Sequence, residues 1–194
     1  MKIKYDEYIE TINAALNKVD KTKLKSVIKL IAIQRVLKHK IFVVGNGGSS
    51  SAATHFAQDL MKGTFKSYHG LRDYSGQEPS PIKAISLTDN VSFITATSND
   101  DGYDFIFVNQ LKTLSDNSDD ILIVISGSGN SPNVVKAAEW ARMNNLNVIS
   151  FTGFSGGKIK DLSTLNINVH CDDMKIIESV HSILFHYIIE NLQA

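Results

Sequence analysis

Apolar residues recur at helical spacing across residues 5–38: Tyr8, Ile9, Ile12, Ala15 and Leu16, then Leu24, Val27, Ile28, Leu30, Ile31 and Ile33. The polar run Asp20-Lys21-Thr22 interrupts this stripe, so the spacing predicts two helices. They need an apolar surface to cover, which is either the chain's own sheet or a second subunit. From Lys40 onward the pattern changes to short continuous apolar runs alternating with helix-period segments. It predicts strands at 40–45, 82–88, 120–126, 147–152 and 166–171, and helices at 50–62, 103–115, 133–144 and 175–192, with a short helix at 90–97. Strands that are apolar on both faces, joined through helices, imply right-handed crossovers and a parallel sheet covered on both sides. The expected fold is α/β: a three-layer αβα domain around a five-stranded parallel, flavodoxin-like sheet. Residues 1–38 form its helical N-terminal region and 39–194 its core, within one domain of 194 residues.

Two loops in this pattern are shaped for an anion. The apolar run ending at Val44 stops at Gly45-Asn46-Gly47-Gly48-Ser49-Ser50-Ser51, and a helix follows. Strand, glycine turn and helix start together aim backbone N–H groups and the positive end of a helix dipole at a ligand. The loop is neither a P-loop, since no Lys-Ser/Thr closes it, nor G-x-G-x-x-G. Taken alone it reads equally as a βα turn with a serine cap. The second loop, Ser126-Gly127-Ser128-Gly129-Asn130-Ser131-Pro132, follows the strand Ile121–Ile125 and places three hydroxyls ahead of a proline suited to a first helical turn. In a parallel sheet the two loops stand at neighbouring strand ends, where one can hold a sugar and the other its phosphate.

Composition narrows the field. Twenty basic and twenty acidic residues cancel, so no global field recruits nucleic acid or an anionic membrane. The lysines between Lys18 and Lys40 are interleaved with acids and apolar residues and read as a solvated helical face. Cys171 is the single cysteine; no internal disulfide or thiolate metal cluster can form, and its place in an apparent strand marks it as core filler. No apolar run reaches the roughly 20 residues of a membrane span, and the first residues lack a signal-peptide core, so a cytoplasmic protein is expected. The segment Gly63 to Pro81 breaks the alternation at a length where loops are often functional; a lid, an interface arm and plain connecting chain all remain open. His55 and Asp59, at i, i+4 on the helix after the first loop, project from one face and can share a divalent ion such as zinc, iron or nickel.

The two loops together resemble the sugar isomerase (SIS) domain, and more closely the phosphoheptose isomerases, which interconvert sedoheptulose 7-phosphate and heptose 7-phosphate. The resemblance runs from about Lys40 to the C-terminus, with a compatible helical region before it. It implies the flavodoxin-like sheet, a zinc ion, a homotetramer with sites at subunit interfaces, and a place in surface polysaccharide heptose synthesis. In that family a His and a Glu on the first helix bind zinc and the Glu also moves a proton; His55 and Asp59 occupy those positions. A Gln and a His on the last helix complete the zinc set, and Glu178 and His186 match them. Asp59 is one methylene shorter than the family Glu, and Glu178 replaces a Gln with a charge, so the site is more anionic than the family's. Asn99 and Asp100 match a pair that touches substrate.

These matches imply acid/base roles for Asp59 and His186, metal ligation by His55, Asp59, Glu178 and His186, and sugar contacts from Asn46, Gly47, Gly48 and Ser49, with Glu178 also beside the substrate. Phosphate falls to Ser126, Gly127, Ser128 and Ser131. One geometric tension stands. Eight residues along a helix rise about 12 Å, too far for Glu178 and His186 to grip one ion comfortably. Either the helix begins after Glu178 or two chains contribute to one site; a purely helical reading pairs Glu178 with His181 instead. Two further readings differ in class. The chain could be a non-catalytic module that binds a sugar phosphate or a partner protein, as a replication-initiation factor related to this family does, or it could isomerise a related sugar phosphate.

Overall fold

The computed structural model describes residues 3–64, 81–116 and 119–192. Two helices, α1 (Tyr5–Asn17) and α2 (Lys21–Leu37), lead into β1 (Lys40–Gly45). The break between them lies where the sequence places it. Asp20 caps α2 by accepting from the backbone N–H groups of Thr22 and Lys23, each at 3.0 Å, which satisfies donors that the first turn leaves orphaned.

Beyond β1 come α3 (Gly48–Gln58), β2 (Lys83–Ser86), α4 (Val91–Asp100), α5 (Val108–Leu114), β3 (Ile121–Ser126), α6 (Pro132–Met143), β4 (Asn147–Thr152), α7 (Gly157–Leu162), β5 (Leu165–Asn168) and α8 (Met174–Leu192). The five strands are parallel in the order β2-β1-β3-β4-β5, which is the flavodoxin-like order expected. Alternating side chains build the two cores. Ile41, Val43, Ile123, Ile149 and Phe151 pack with α1, α2, α3 and α8. Phe42, Val44, Leu122, Val124 and Val148 pack with α5, α6 and α7 on the other face.

Several boundaries differ from the sequence reading. The helix expected over 103–115 splits into a single 3₁₀ turn (Tyr103–Phe105) and α5. β5 ends at Asn168, so Cys171 lies past the strand and is half-buried. α7 has no counterpart in the sequence pattern, because only Ile159 and Leu162 in its six residues are apolar and two glycines precede Lys158. Most of the segment 63–81, read as a lid, an interface arm or connecting chain, lies outside the described residues. Among the described residues no helix is long and apolar enough to cross a membrane.

The helix with the greatest influence on the loop end of the sheet is α8. Its first turns lie directly on the loops after β3 and β4: a Cβ at Gly153 would run into Ile177, and one at Gly127 into Met174. At the other end the Arg35 guanidinium donates to the carbonyls of Leu192 (3.0 Å) and Thr64 (3.4 Å), tying α8 and the end of the α3 segment to α2.

Inside the interface, His181 is 1% exposed. Burial lowers its pKa from the ordinary 6.5 to about 4, and the hydrogen bond to the Thr152 carbonyl opposes this only in part. Because the folded value lies below the unfolded one, the unfolded chain takes up the proton more readily between the two. The stabilising term is therefore complete above pH 6.5 and disappears as pH falls to about 4, an effect of about 3 kcal/mol. Thermal melts across pH 7 to 4 should show a marked loss of stability in the native protein, and His181→Phe should make that loss visibly shallower.

Candidate functional site

α3 and α8 run side by side and contribute one histidine each to a common pocket. The His55 and His186 rings meet edge to face with centroids 5.3 Å apart, and His55 Nε2 lies 3.3 Å from Asp59 Oδ2. One ligand atom from each of His55, Asp59 and His186 falls within 4.8 Å of the others. Ala52, Phe56, Ser182 and Phe185 complete the pocket wall. Asp59 sits where the α-helix gives way to a single π turn, Asp59–Gly63, closed by the Thr64 hydroxyl donating to the Leu60 carbonyl at 2.8 Å. Such widened turns concentrate at functional sites.

Two imidazoles and one carboxylate form the donor set of a catalytic zinc site, three protein ligands with a position left for water or substrate. The residues present therefore fit the divalent ion that the sequence implies. His181, the alternative ligand on α8, does not point here: it is buried, with Nε2 at 3.2 Å from the Thr152 carbonyl. Glu178 does not join the group either. Its carboxylate lies against Gly48, where a Cβ would come within 2.7 Å of Oε1. α8 is continuous from Met174, so a late helix start does not reconcile Glu178 with His186. The four-ligand set expected from sequence divides, within one chain, into three residues at the pocket and one carboxylate about two turns away.

The loop of residues 45–51 is a tight strand-to-helix turn. Gly47 has φ +54° and its carbonyl accepts from the N–H groups of Ser50 and Ser51 at 3.0 and 3.3 Å. Gly47 and Gly48 are exposed and Asn46 half-exposed, whereas Ser49 is buried. Asn46 forms a reciprocal amide pair with Asn133 of α6, both bonds 2.8 Å, and its Oδ1 also accepts the Tyr103 hydroxyl at 3.0 Å. This pair ties the two loops to each other. Sequence reading missed Asn133 and Tyr103; a polar residue just inside a helix after the hydroxyl loop was the one available signal, and nothing joined it to Asn46.

The second loop keeps its hydroxyls available. Ser126 Oγ accepts from Gly129 N at 3.2 Å and Ser128 Oγ from Asn130 N at 3.3 Å, so each retains its own proton to donate. Ser131 is the cap residue of α6, yet its side chain makes no capping bond. Gly127 is buried, its carbonyl accepting from Gly153 N at 2.8 Å, so it shapes the loop from beneath. Asn99 and Asp100 stand exposed on the last turn of α4, bonded to each other at 2.8 Å. Beside the first loop, Thr54, Ser86, Thr88 and Asp89 share a hydrogen-bonded cluster that fastens α3 to the end of β2.

Comparison with known proteins identifies the family. The SIS domain family model matches residues 4–153. A phosphoheptose isomerase of Helicobacter pylori (strain P12) is 37% identical over 170 residues, covering 88% of this chain and 82% of that protein. One from Aliarcobacter butzleri is 36% identical over 181 residues, covering 93% and 85%. Among solved structures, a phosphoheptose isomerase from Francisella tularensis superposes with a TM-score of 0.82 at 29% identity, covering 97% of this chain and 94% of that one. By match length, identity and coverage alike, the chain belongs to the SIS domain family, alongside its phosphoheptose isomerases.

Proposed function

We propose that this chain is an aldose–ketose isomerase of a sugar phosphate, and that its substrate is sedoheptulose 7-phosphate, converted to D-glycero-D-manno-heptose 7-phosphate for surface polysaccharide heptose. The observation that carries this reading is the meeting of His55, Asp59 and His186 in one pocket, on the same domain as a loop whose serine hydroxyls are free to donate. A module that only binds a sugar phosphate needs the second feature and has no use for the first. The name borne by the relatives supplies the sugar.

The reaction moves one proton between C1 and C2 through an enediol, and a second between the two oxygens. Asp59 Oδ2 removes the carbon-bound proton at C1 and returns it at C2, while the His186 imidazole carries the proton between the oxygens. The hydroxyls of Ser126, Ser128 and Ser131 donate to the phosphate at the start of α6. Anchoring that end fixes where the reacting carbons lie and converts binding into orientation. Asn46, Gly47 and Gly48 line the sugar. A divalent cation, zinc on the family pattern, held by His55, Asp59 and His186, would supply Lewis-acid polarisation of the carbonyl oxygen.

A homotetramer with shared sites supports this chemistry. Tyr5, Ile9, Ile33, Val36, Ile183 and Tyr187 expose apolar surface along α1, α2 and α8, more than an isolated domain profits from. A partner's copy of Glu178 would resolve the separation of Glu178 from the three-residue pocket. The phosphorylated substrate does not cross membranes unaided, which favours the cytoplasm as the compartment of the reaction.

Protein purified without chelator should carry about one divalent ion per chain, lost in His55→Ala and His186→Ala; elemental analysis reads this directly. Turnover of sedoheptulose 7-phosphate, followed by NMR, should fall about 100-fold or more in Asp59→Asn and in His186→Ala, with the double variant little worse than either. Near-normal rates in both would replace the isomerase with a binding module. Ser128→Ala should raise KM more than it lowers kcat, since phosphate contacts act in the ground state as well as the transition state. Asp59 and His186 meet within one chain, so the test of shared sites is to mix inactive Asp59→Asn with Glu178→Ala: subunit exchange should restore activity if Glu178 serves the neighbouring chain's site, and a stable, active monomer in sedimentation would end the tetramer.

A further inference from the structure

His181 has no part in the proton transfers or the metal set, yet a histidine is an expensive choice for its position. The buried stripe of α8 consists of Ile176, Ile177, Val180, His181, Leu184, Phe185, Ile188, Ile189 and Leu192, and His181 is its one polar member. Its Nδ1 is buried without a partner, a state that is unfavourable in a dry core. Its Nε2 lies 3.2 Å from the Thr152 carbonyl, the last residue of β4. A carbonyl only accepts, so Nε2 carries a proton; with Nδ1 unpartnered and the ring buried, the charged form is disfavoured and the ring is the neutral Nε2–H tautomer.

The ring also begins an aromatic chain that ends at the pocket. His181 stands edge-on to Phe151, with centroids 6.0 Å apart. Phe151 meets Phe185 at 4.8 Å, and Phe185 stacks on Phe56 at 4.6 Å. Phe185 precedes His186 in α8 and Phe56 follows His55 in α3. Apolar packing alone allows a helix small rotations about its axis, because it is not directional. With side-chain ends about 5–6 Å from that axis, a turn of about 10° moves them about 1 Å. A displacement of that size can cost about 100-fold in a positioned reaction.

We infer that His181 is a positioning residue: its Nε2–H bond to the Thr152 carbonyl fixes the rotation of α8 on the sheet, and so sets His186 against His55 and Asp59. The inference rests on the metal and isomerase reading, but two of its readouts need no substrate. In the metal-free protein, the imidazole nitrogen shifts of His181 at pH 7 should report the neutral Nε2–H tautomer; the Nδ1–H tautomer or an imidazolium would overturn the assignment. Titration of the full-length chain with zinc or cobalt should show affinity reduced about 10-fold in His181→Phe, the lower range for a residue supporting a ligand. His181→Gln, whose Nε2 amide can reach the same carbonyl, should recover most of it. With substrate, kcat should fall about 10-fold in the Phe variant while KM moves little. A folded His181→Phe that binds metal and turns over like the native protein would sink the proposal, as would a Gln variant no better than Phe. If Phe fails to fold, the tautomer and the Gln titration still decide. Absence of turnover in the native protein would strike the isomerase reading alone, because the metal titration would still report on His181.

Discussion

Everything near the pocket depends on how closely α8 can approach the sheet. Gly153, and less strictly Gly127, provide that closeness: an added carbon at 153 would run into the branched Ile177, and one at 127 into the flexible end of Met174. Through them α8 reaches the ends of β3 and β4 while its middle packs on Phe151 and Phe56. A wider gap would carry His186 away from His55, and the pocket would lose one of its three converging side chains. The parallel sheet provides the other half of the arrangement. All five strands end on one side, so the loops after β1 and β3 stand next to each other without either being long.

How much the sequence discloses depends on the range of each interaction. The helix break at Asp20, the alternation of strands and helices and the His55–Asp59 pair were readable because local periods and caps generate them, while the strand order followed from the crossover rule and the family resemblance. The reciprocal bonds between Asn46 and Asn133 span 87 residues and obey no period, so nothing in the chain announces them. α7 was invisible for the opposite reason: its six residues carry too little apolar pattern to register, and the contacts of Gly129 with Gly157 are what place it. His181 read as a possible ligand from its spacing to Glu178, and only its burial reveals that it faces the core.

The pocket itself combines a local and a distant contribution. His55 and Asp59 are brought together by one turn of backbone, although Asp59 opens a π turn rather than continuing the α-helix. His186 arrives from more than a hundred residues later, delivered by the seating of α8 against α3 and the sheet. The Asp59 oxygen comes within 3.3 Å of His55 Nε2 across an ordinary α turn, in which the Asp59 N–H bonds to the His55 carbonyl, and the widening comes only after the pair.

The contact between Glu178 and Gly48 has an evolutionary consequence. The carboxylate occupies the space that a Cβ at position 48 would need, but it is the far end of a flexible side chain and can swing aside. A lineage that placed alanine at 48 would keep its backbone and instead re-aim the Glu178 carboxylate, the one acid that the pocket leaves out. A single methyl group at 48 could thus alter where a charge 130 positions away points while leaving the fold untouched.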